Sequence, residues 1–356
     1  MVGAQGVERH DAKEKGGEAW LNEPLFAPFD CHFTSQISQY DMAKIQVTIL
    51  FLLACLSASA QRYEKVPFGD FEQWAVRYIT ESKVIGGQER TVYMVGPTDT
   101  IRGNVTYSYK NTIWSSSNVY AKVAGVTKTS TNVMPDRGPS GKCAKMVSQM
   151  AACKVAGLIN IKVLATGSIF WGETQEPVSS ISNPYAVMSW GIPFTKRPKA
   201  LLFHYKAKIP NTGKLIRSTT FRSSEFEGYD PFEVVFILQH RWEDAEGNIH
   251  AKRVGTAMCQ IEKSSAGWVM NFRVPVIYGD ARKNKDYKPY MDLISGYKNM
   301  YAFNSKGKKK PIVEEAWADP ETSVTHAIMW FSSGSCGAFI GALDNVFWVD
   351  EIRLEY

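Results

Sequence analysis

The sequence predicts an all-β fold, and three observations lead to it. Short apolar runs with alternating polar residues recur along the chain, separated by clusters of Gly, Pro, Asn and Ser. No segment keeps apolar residues at i, i+3, i+4 and i+7 over three turns, as an amphipathic helix would. Aromatic residues make up 12% of the chain, and the other apolar residues lean to Val and Ile, which suit pleated, half-buried surfaces.

The expected strands follow one another from residue 63 onwards. Alternation and flanking turn residues place them, in chain order, at Tyr63–Trp74, Val92–Val95, Val119–Val123, Cys143–Gln149, Ile159–Leu164, Met188–Ile192, Ala200–Ile209, Phe232–Arg241, Val254–Glu262, Trp268–Val276, Ser323–Ser332 and Phe347–Tyr356. Ser168–Gly172 indicates a strand edge followed by a turn.

Two of these strands, one turn and one connection have a clear local reason. Ala200–Ile209 alternates strictly, whereas Phe232–Arg241 is apolar enough for a central strand buried on both faces. Residues 244–248 form a hairpin turn because they combine Asp, Gly and Asn. The small residues of Ser332–Gly337 predict a flexible connection.

A secretion signal precedes the strands and begins at Met42. It reads MAKIQVTILFLLACLSASAQ, with a positive Lys44, an apolar run and a small-x-small cleavage site ending at Ala60. The apolar run is shorter than the roughly 20 residues that span a bilayer. The sequence therefore predicts an export signal. Residues 1–41 are expected to be an unstructured extension or to precede the true start of the protein, residues 42–60 to be a signal peptide, and residues 61–356 to be the exported domain. The exported domain is expected in the periplasm, at the outer-membrane surface or outside the cell.

A second processing route leads to a lipid anchor. Residues 52–55 resemble a lipobox, in which Cys55 would become the lipidated first residue, although Leu53 is an unusual residue two positions before the cysteine. Both outcomes stay open: attachment to a membrane only through Cys55, or release after Ala60.

The charge pattern excludes one class of partner. Residues 1–60 hold four basic and seven acidic residues, so the formal net charge of +6 for the chain becomes +9 for 61–356. The basic residues are spread out, except for the run 306–310, which is predicted to be a solvated loop. Nucleic-acid binding would need a basic stripe with interleaved aromatics on one face, so no nucleic-acid partner is expected.

Four cysteines follow residue 60, namely Cys143, Cys153, Cys259 and Cys336. Export permits disulfides, and only Cys143 and Cys153 are close in sequence. No CxxC or Cys/His spacing fits a zinc site. Four buried thiols in strands are favoured, and the Cys143–Cys153 disulfide is the alternative.

Four stretches carry a family resemblance. They are FGDFEQW at 68–74, GLINIKVLATGSIFWG at 157–172, NPYAVMSWGIPFTKRPKALLFHYKA at 183–207 and FSSGSCGAFIGALDNVFWVDEIRLEY at 331–356. With these motifs the chain resembles the putative carbohydrate metabolism domain (PCMD) family, which occurs in exported proteins of glycan-degrading Gram-negative bacteria. The resemblance implies a jelly-roll-type antiparallel β-sandwich in a single large domain, similar to carbohydrate-binding modules.

The last strand contains a carboxylate that suggests a metal site. Alternation places five residues on one face, namely Val346, Trp348, Asp350, Ile352 and Leu354. A lone Asp350 there would be costly unless paired or bound to a cation. In several jelly-roll carbohydrate-binding modules the first and last strands meet at a structural Ca²⁺, so Asp70, Glu72 and Asp350 are candidate ligands. The alternative is an Asp350 carboxylate that accepts backbone N–H bonds at a strand end.

Aromatic residues are the candidate glycan-binding groups, because sugar rings present apolar C–H faces. Trp114 and Trp171 have loop-like contexts, Tyr185 and Trp190 lie in the 183–207 motif, and Trp242 ends a strand. Four other tryptophans are assigned to packing, namely Trp74, Trp268, Trp330 and Trp348.

No catalytic constellation stands out, since GxSxG, HExxH, Walker and GxGxxG motifs are absent from the sequence. A glycosidase needs two carboxylates about 5 Å apart or wider. Spacing selects no pair among Glu173, Glu176, Glu225, Glu227, Asp230 and Asp244. Together with the export signal, the family resemblance implies an exported, non-catalytic accessory domain that binds or helps to process a polysaccharide. A glycoside hydrolase and a surface structural or adhesive subunit are the alternatives.

Overall fold

The structure, a computed structural model, describes residues 62–155, 159–180, 183–210, 212–219, 222–294 and 300–356. These residues belong to one compact unit. The predicted extension, signal peptide and Cys55 lie outside them. Among the described residues, none of the helical segments has the length and apolarity that crossing a membrane requires.

Strands make up nearly all the regular structure of the described residues. In chain order they are β1 (Tyr63–Lys65), β2 (Trp74–Thr80), β3 (Glu89–Val95), β4 (Asp99–Arg102), β5 (Trp114–Ser116), β6 (Val119–Val123), β7 (Val126–Ser130), β8 (Val133–Arg137), β9 (Lys142–Val147), β10 (Gln149–Val155), β11 (Ile159–Ala165), β12 (Ser168–Thr174), β13 (Met188–Trp190), β14 (Ile192–Pro193), β15 (Ala200–Lys208), β16 (Lys214–Ser218), β17 (Ser223–Glu227), β18 (Phe232–Glu243), β19 (Ile249–Ile261), β20 (Val269–Pro275), β21 (Ile277–Tyr278), β22 (Tyr301–Phe303), β23 (Lys309–Trp317), β24 (His326–Ser332), β25 (Ile340–Gly341) and β26 (Val346–Glu355). The short 3₁₀ turns are Lys83–Ile85, Tyr109–Asn111, Ala281–Lys283 and Pro289–Met291.

Two sheets dominate the fold. The smaller sheet has six strands in the order β20-β15-β26-β9-β8, with β1 paired to β26. The larger sheet has ten strands, with β13-β12-β24-β18-β19-β23-β22 as its main path. Pairing is antiparallel except between β19 and β23 and between β2 and β4. Smaller two- and three-stranded sheets, including the hairpins β6–β7 and β10–β11, extend from this frame.

The two large sheets pack face to face around one core. Phe347 of the smaller sheet stacks on Phe232 of the larger one, with ring centroids 4.7 Å apart and planes at 10°. Buried side chains on both inner faces alternate along their strands, as in a β-sandwich. They include Leu201, Phe203, Val349, Val234, Phe236, Met329 and Phe331. The predicted all-β sandwich is therefore confirmed.

The outer face of the larger sheet carries a second apolar cluster. Residues that alternate with the core residues, such as Phe170, Val235, Ile237 and Ile328, pack under the segment that includes Met291. The central strands are thus buried on both faces, as expected from the largely apolar sequence of β18.

The prediction of one strand over Tyr63–Trp74 is wrong. β1 ends at Lys65 and β2 begins at Trp74, and the intervening segment is a turn. Phe68 and Phe71 have left-handed backbones, with φ of 56° and 50°, which is incompatible with an extended strand. Phe71 is nevertheless fully buried, so its apolar character reflects core packing rather than strand periodicity.

The predicted face of the last strand is only partly right, because β26 contains a bulge. The register with β15 shifts between Leu202 and His204, and Glu351 has a φ of 48°. A bulge inserts one residue and reverses the alternation. The core side chains of β26 are therefore Phe347 and Val349 before the bulge and Ile352 and Leu354 after it. Asp350, at the bulge, is only 2% exposed.

The four cysteines of the described residues are free thiols. Cys143 is buried and the other three are partly buried. The favoured prediction of thiols in strands holds for Cys143, Cys153 and Cys259, which lie in β9, β10 and β19, while Cys336 lies in a loop.

Candidate functional site

A cavity of about 810 Å³ opens on the outer face of the larger sheet, and we call it the main cavity. Glu233, Trp330 and Ser332 contribute to its floor from β18 and β24, at positions that alternate with core residues. The hairpins β6–β7 and β10–β11 supply aliphatic walls. Ala151 and Val163 are cross-strand partners in the second hairpin and both line the cavity.

Two tryptophans contribute aromatic rings to the cavity, and one of them packs on Phe170 beneath it. Trp190 lies 4.3 Å from Phe170 and 5.5 Å from Trp330, measured between ring centroids. Trp190 and Trp330 both line the cavity. The buried Nε1–H of Trp190 has no hydrogen-bond partner among the described residues. An unmet buried donor costs free energy, which a bound hydroxyl would relieve.

A buried polar network fixes Trp190 from beneath. Arg241 donates from Nη1 to the Trp190 carbonyl at 3.2 Å and from Nε to Gln239 at 2.7 Å. Gln239 in turn donates to Glu314 at 2.5 Å, and Glu314 forms a fully buried ion pair with Arg253. Burial lowers the pKa of Arg241 to about 9. These bonds hold β13, and with it the indole ring, against the sheet.

Glu233 contributes a carboxylate to the same cavity. It is 1% exposed, lies opposite Ser332 of β24, and lines the cavity. Its negative charge helps to raise the pKa of the Cys259 thiol to about 12, where burial is the main cause. The floor therefore combines aromatic faces with a hydrogen-bond acceptor and a hydroxyl.

Asp230 shapes the loop over 333–342 that forms another side of the cavity. Its Oδ1 accepts from the Ser335 and Cys336 N–H groups at 2.7 and 3.3 Å, and its Oδ2 accepts from Ala342 N–H at 2.9 Å. Tyr185 accepts the N–H of Ala338 through its hydroxyl at 2.8 Å. A buried carboxylate therefore bonds to the segment for which the sequence predicts a flexible connection.

A charged group borders the cavity near the first hairpin. Glu81 accepts from the Thr129 N–H and hydroxyl at 3.0 Å each and pairs with Lys128. Burial would raise the pKa of Glu81, but these donors outweigh it and lower the pKa below its usual value. The Glu81 carboxylate is therefore ionised at neutral pH and bonded to Thr129 and Lys128.

Two of the predicted glycan-binding residues lie in the core. Trp114 and Trp171 are 0% and 2% exposed, in strands β5 and β12 rather than in loops. Trp114 donates from Nε1 to the Pro67 carbonyl at 2.8 Å and packs on Trp171. Neither ring lines the main cavity, whereas Tyr185 and Trp190 do.

Trp242 lines a separate cleft of about 390 Å³, which we call the tryptophan cleft. It is lined by His240, Trp242, Lys252, Trp317, Ala318, Asp319 and Thr322. The ring of Trp242 stacks on His250 at 5.6 Å and 17°. Asp244 and Glu315 flank His250 at 3.1 and 2.6 Å and raise its pKa.

The predicted metal ligands lie near one another around the β8–β9 turn. Glu72 accepts from the Lys142 N–H at 2.8 Å, and Asp70 from the Glu72 N–H at 3.5 Å. Burial raises the pKa of Asp350 to about 7, and the charges of Glu72 and Asp70 add to this. Among the described residues no three His, Cys, Asp or Glu side chains are arranged to hold a metal ion. Calcium therefore stays a prediction.

Several candidate catalytic carboxylates have structural partners. Glu176 pairs with Arg77 at 2.8 Å, and both side chains are at most 2% exposed. Asp230 anchors its loop, and Asp244 bonds to Asn248 and His250. Glu225 is exposed beside Lys214. None of these carboxylates lines the main cavity. The carboxylates that line it are those of Glu81 and Glu233.

Sequence reasoning missed Glu233 and assigned Trp330 to the core. A usable signal was present: Glu233 is the one charged residue in the apolar run 232–238. Burying a carboxylate in a strand with two buried faces costs free energy unless a hydrogen bond, an ion pair or a bound ligand compensates for it. Trp330 gave no comparable signal, because the sequence does not distinguish the two faces of such a strand.

The chain is similar to a known protein family and to solved structures. The profile of the family described as "Putative carbohydrate metabolism domain" matches residues 89–355. Among solved structures, the chain is similar to a putative glycoside hydrolase from Bacteroides thetaiotaomicron VPI-5482, with 18% identity, a TM-score of 0.44, and 78% of this chain and 70% of that chain covered. It is also similar to a putative glycoside hydrolase from Bacteroides vulgatus ATCC 8482, with 13% identity, a TM-score of 0.42, and 82% and 94% covered. No curated protein matches the chain. Because the family profile covers most of its length, the chain belongs to the putative carbohydrate metabolism domain family.

Proposed function

We propose that the main cavity binds a glycan without cleaving it. The observation that carries the proposal is the floor, where the rings of Trp190 and Trp330 lie 5.5 Å apart and the buried carboxylate of Glu233 lines the same cavity. A pyranose offers C–H groups to indole faces and hydroxyls to acceptors such as Glu233. The cavity volume of about 810 Å³ lies within the range of small-molecule sites.

The aliphatic walls add a preference to this proposal. Ala151 and Val163 on β10–β11, and Val119 and Val126 on β6–β7, line the cavity. Aliphatic walls make no hydrogen bonds with bare hydroxyls, whereas burying an apolar substituent against them is favourable. Sugars that carry acetyl or methyl groups should therefore bind better than their unsubstituted forms.

A glycan array with the full chain, scored for both retention and product release, tests the proposal. Trp190→Ala should weaken retention about 2- to 13-fold, the equivalent of one aromatic stacking contact. Ala151→Phe, which fills the cavity without removing a core residue, should abolish retention. Trp268→Ala is the matched control, since Trp268 is partly exposed and lines neither cavity. No retention by the wild-type chain would refute the proposal.

A glycoside hydrolase is the second candidate, favoured by the presence of two carboxylates at one cavity. Glu81 is held ionised by Lys128 and Thr129, and Glu233 lies on the floor. Product release in the array that is lost in Glu233→Gln would establish hydrolysis. Retention without product release supports binding alone.

We also propose export through the signal peptide over 42–60, with release after Ala60 as the first expectation. The n-region, apolar run and cleavage pattern of the sequence support it. Intact mass measurement of the secreted chain should give an N-terminus at Gln61. A lipid-modified mass that disappears in Cys55→Ala would establish the anchor instead, and an uncleaved chain would refute export by this signal.

A further inference from the structure

We propose that the tryptophan cleft is a second glycan site, which binds one neutral pyranose residue independently of the main cavity. The chemical class of the ligand rests on the proposed function, whereas the site rests on the cleft's own geometry. Strands β18, β19 and β23 are neighbours in the larger sheet, and each contributes a residue to the cleft.

Two indole rings line this small cleft of about 390 Å³. Trp242 comes from β18 and Trp317 from the end of β23. Neither ring belongs to the sandwich core or to the outer apolar cluster. Indole rings that line a cleft can offer the apolar surface that the C–H face of a pyranose requires.

Charged groups hold both rings in place. His250 lies parallel to Trp242, and its imidazole is fixed between Asp244 and Glu315. Hydrogen bonds to these carboxylates raise the pKa of His250, which favours the cation beneath the indole. Rings that are already ordered lose little freedom when a ligand binds.

Trp317 is held in the same way by two guanidinium groups. Arg253 and Arg282 lie 5.5 and 6.0 Å from its ring centroid. Arg253 is itself fixed by its fully buried ion pair with Glu314. The second ring of the cleft is therefore as well ordered as the first.

The remaining polar groups of the cleft suit sugar hydroxyls. Lys252, Asp319 and Thr322 line it, and their side chains make no hydrogen bond or ion pair among the described residues. Together they offer a cationic donor, an anionic acceptor and a hydroxyl. Because one positive and one negative group face the cleft together, a neutral sugar fits better than an acidic or a basic one.

The test uses the full chain labelled with 5-fluorotryptophan and followed by ¹⁹F NMR, with signals assigned by single Trp→Phe variants. The probes are neutral hexasaccharides of β-1,4-linked glucose, β-1,4-linked xylose, β-1,4-linked mannose and α-1,4-linked glucose. At least one should shift the Trp242 and Trp317 signals along a saturable curve. The same shifts should persist in Ala151→Phe, in which the main cavity is filled.

Variants of the cleft sharpen the result. Trp242→Ala should weaken binding about 2- to 13-fold at the Trp317 signal, and Asp319→Ala, at an exposed position, should weaken it without affecting folding. Trp268→Ala should leave it unchanged. The second site would be refuted if no probe shifts the Trp242 and Trp317 signals, or if their shifts disappear in Ala151→Phe. Cleft signals that shift while the Trp190 signal stays unchanged would establish the second site independently of the main cavity, whose walls favour acetylated or methylated sugars.

Discussion

Asp350 should make the stability of the fold fall as the pH rises, and the substitution Asp350→Asn should remove this effect. The side chain is 2% exposed, and burial raises its pKa to about 7 from an ordinary value of 3.8. The native state therefore keeps its proton where the unfolded chain has lost it. The stabilisation is complete below pH 3.8 and is lost as the pH rises through about 7.

The size of the effect follows from the shift in pKa. Each unit of difference is worth about 1.4 kcal/mol, and linkage between pH 5 and pH 8 gives a loss of about 2–3 kcal/mol in the free energy of unfolding. Asparagine stays neutral and can still accept the Glu351 N–H, which bonds to Oδ1 at 2.8 Å in the native chain. Asp350→Asn should therefore lack this slope.

Urea denaturation at pH 5 and pH 8, with and without Ca²⁺, measures the effect. The difference between wild type and Asp350→Asn should change by about 2–3 kcal/mol between the two pH values, and the exposed control Asp344→Asn should show no such change. If Asp70, Glu72 and Asp350 hold calcium, the ion should stabilise the wild type at pH 8 and not Asp350→Asn. A wild-type profile parallel to that of Asp350→Asn would refute the reasoning.

Three further predictions concern other charged groups. Glu176→Gln leaves Arg77 charged and buried, so thermal unfolding should show a loss of about 3–5 kcal/mol. Asp230→Ala removes the acceptor of three loop N–H groups, so hydrogen exchange should accelerate over 335–342 while β18 stays protected; an unchanged loop would contradict its anchoring role. His250 should titrate above its ordinary pKa by NMR, and Asp244→Asn should bring that pKa down; an unchanged midpoint would exclude the proposed ion pair.

The strands were predictable where one apolar run forms one strand. Ala200–Ile209 and Phe232–Arg241 were located to within one or two residues of β15 and β18. Alternation and flanking turns are local properties, so the sequence carries them. Strand β7 was not predicted, because the threonines and the lysine of VTKTS weaken the apolar signal. Strand β2 was also missed, although its sequence WAVRYIT is mostly apolar.

The candidate sites were less predictable, since they depend on which face a residue occupies. Trp114 and Trp171 are flanked by serine and glycine and read as loop residues, yet they fill the core. Trp330 lies in an apolar strand and reads as core, yet it lines the main cavity. The bulge at Glu351 likewise reverses a face that strict alternation assigns incorrectly. Such reversals arise from pairing with β15, which no local pattern contains.

The pairing of β26 has a consequence for how the chain folds. β26 lies between β15 and β9, and β1 pairs with its end, as in the register of Tyr63 with Glu355. The smaller sheet therefore joins segments nearly 300 residues apart, a topology of high contact order that closes slowly. During synthesis β1, β9 and β15 emerge long before β26, so their edges remain exposed until the last strand arrives. Folding of this sheet should thus wait until β26 has been synthesised.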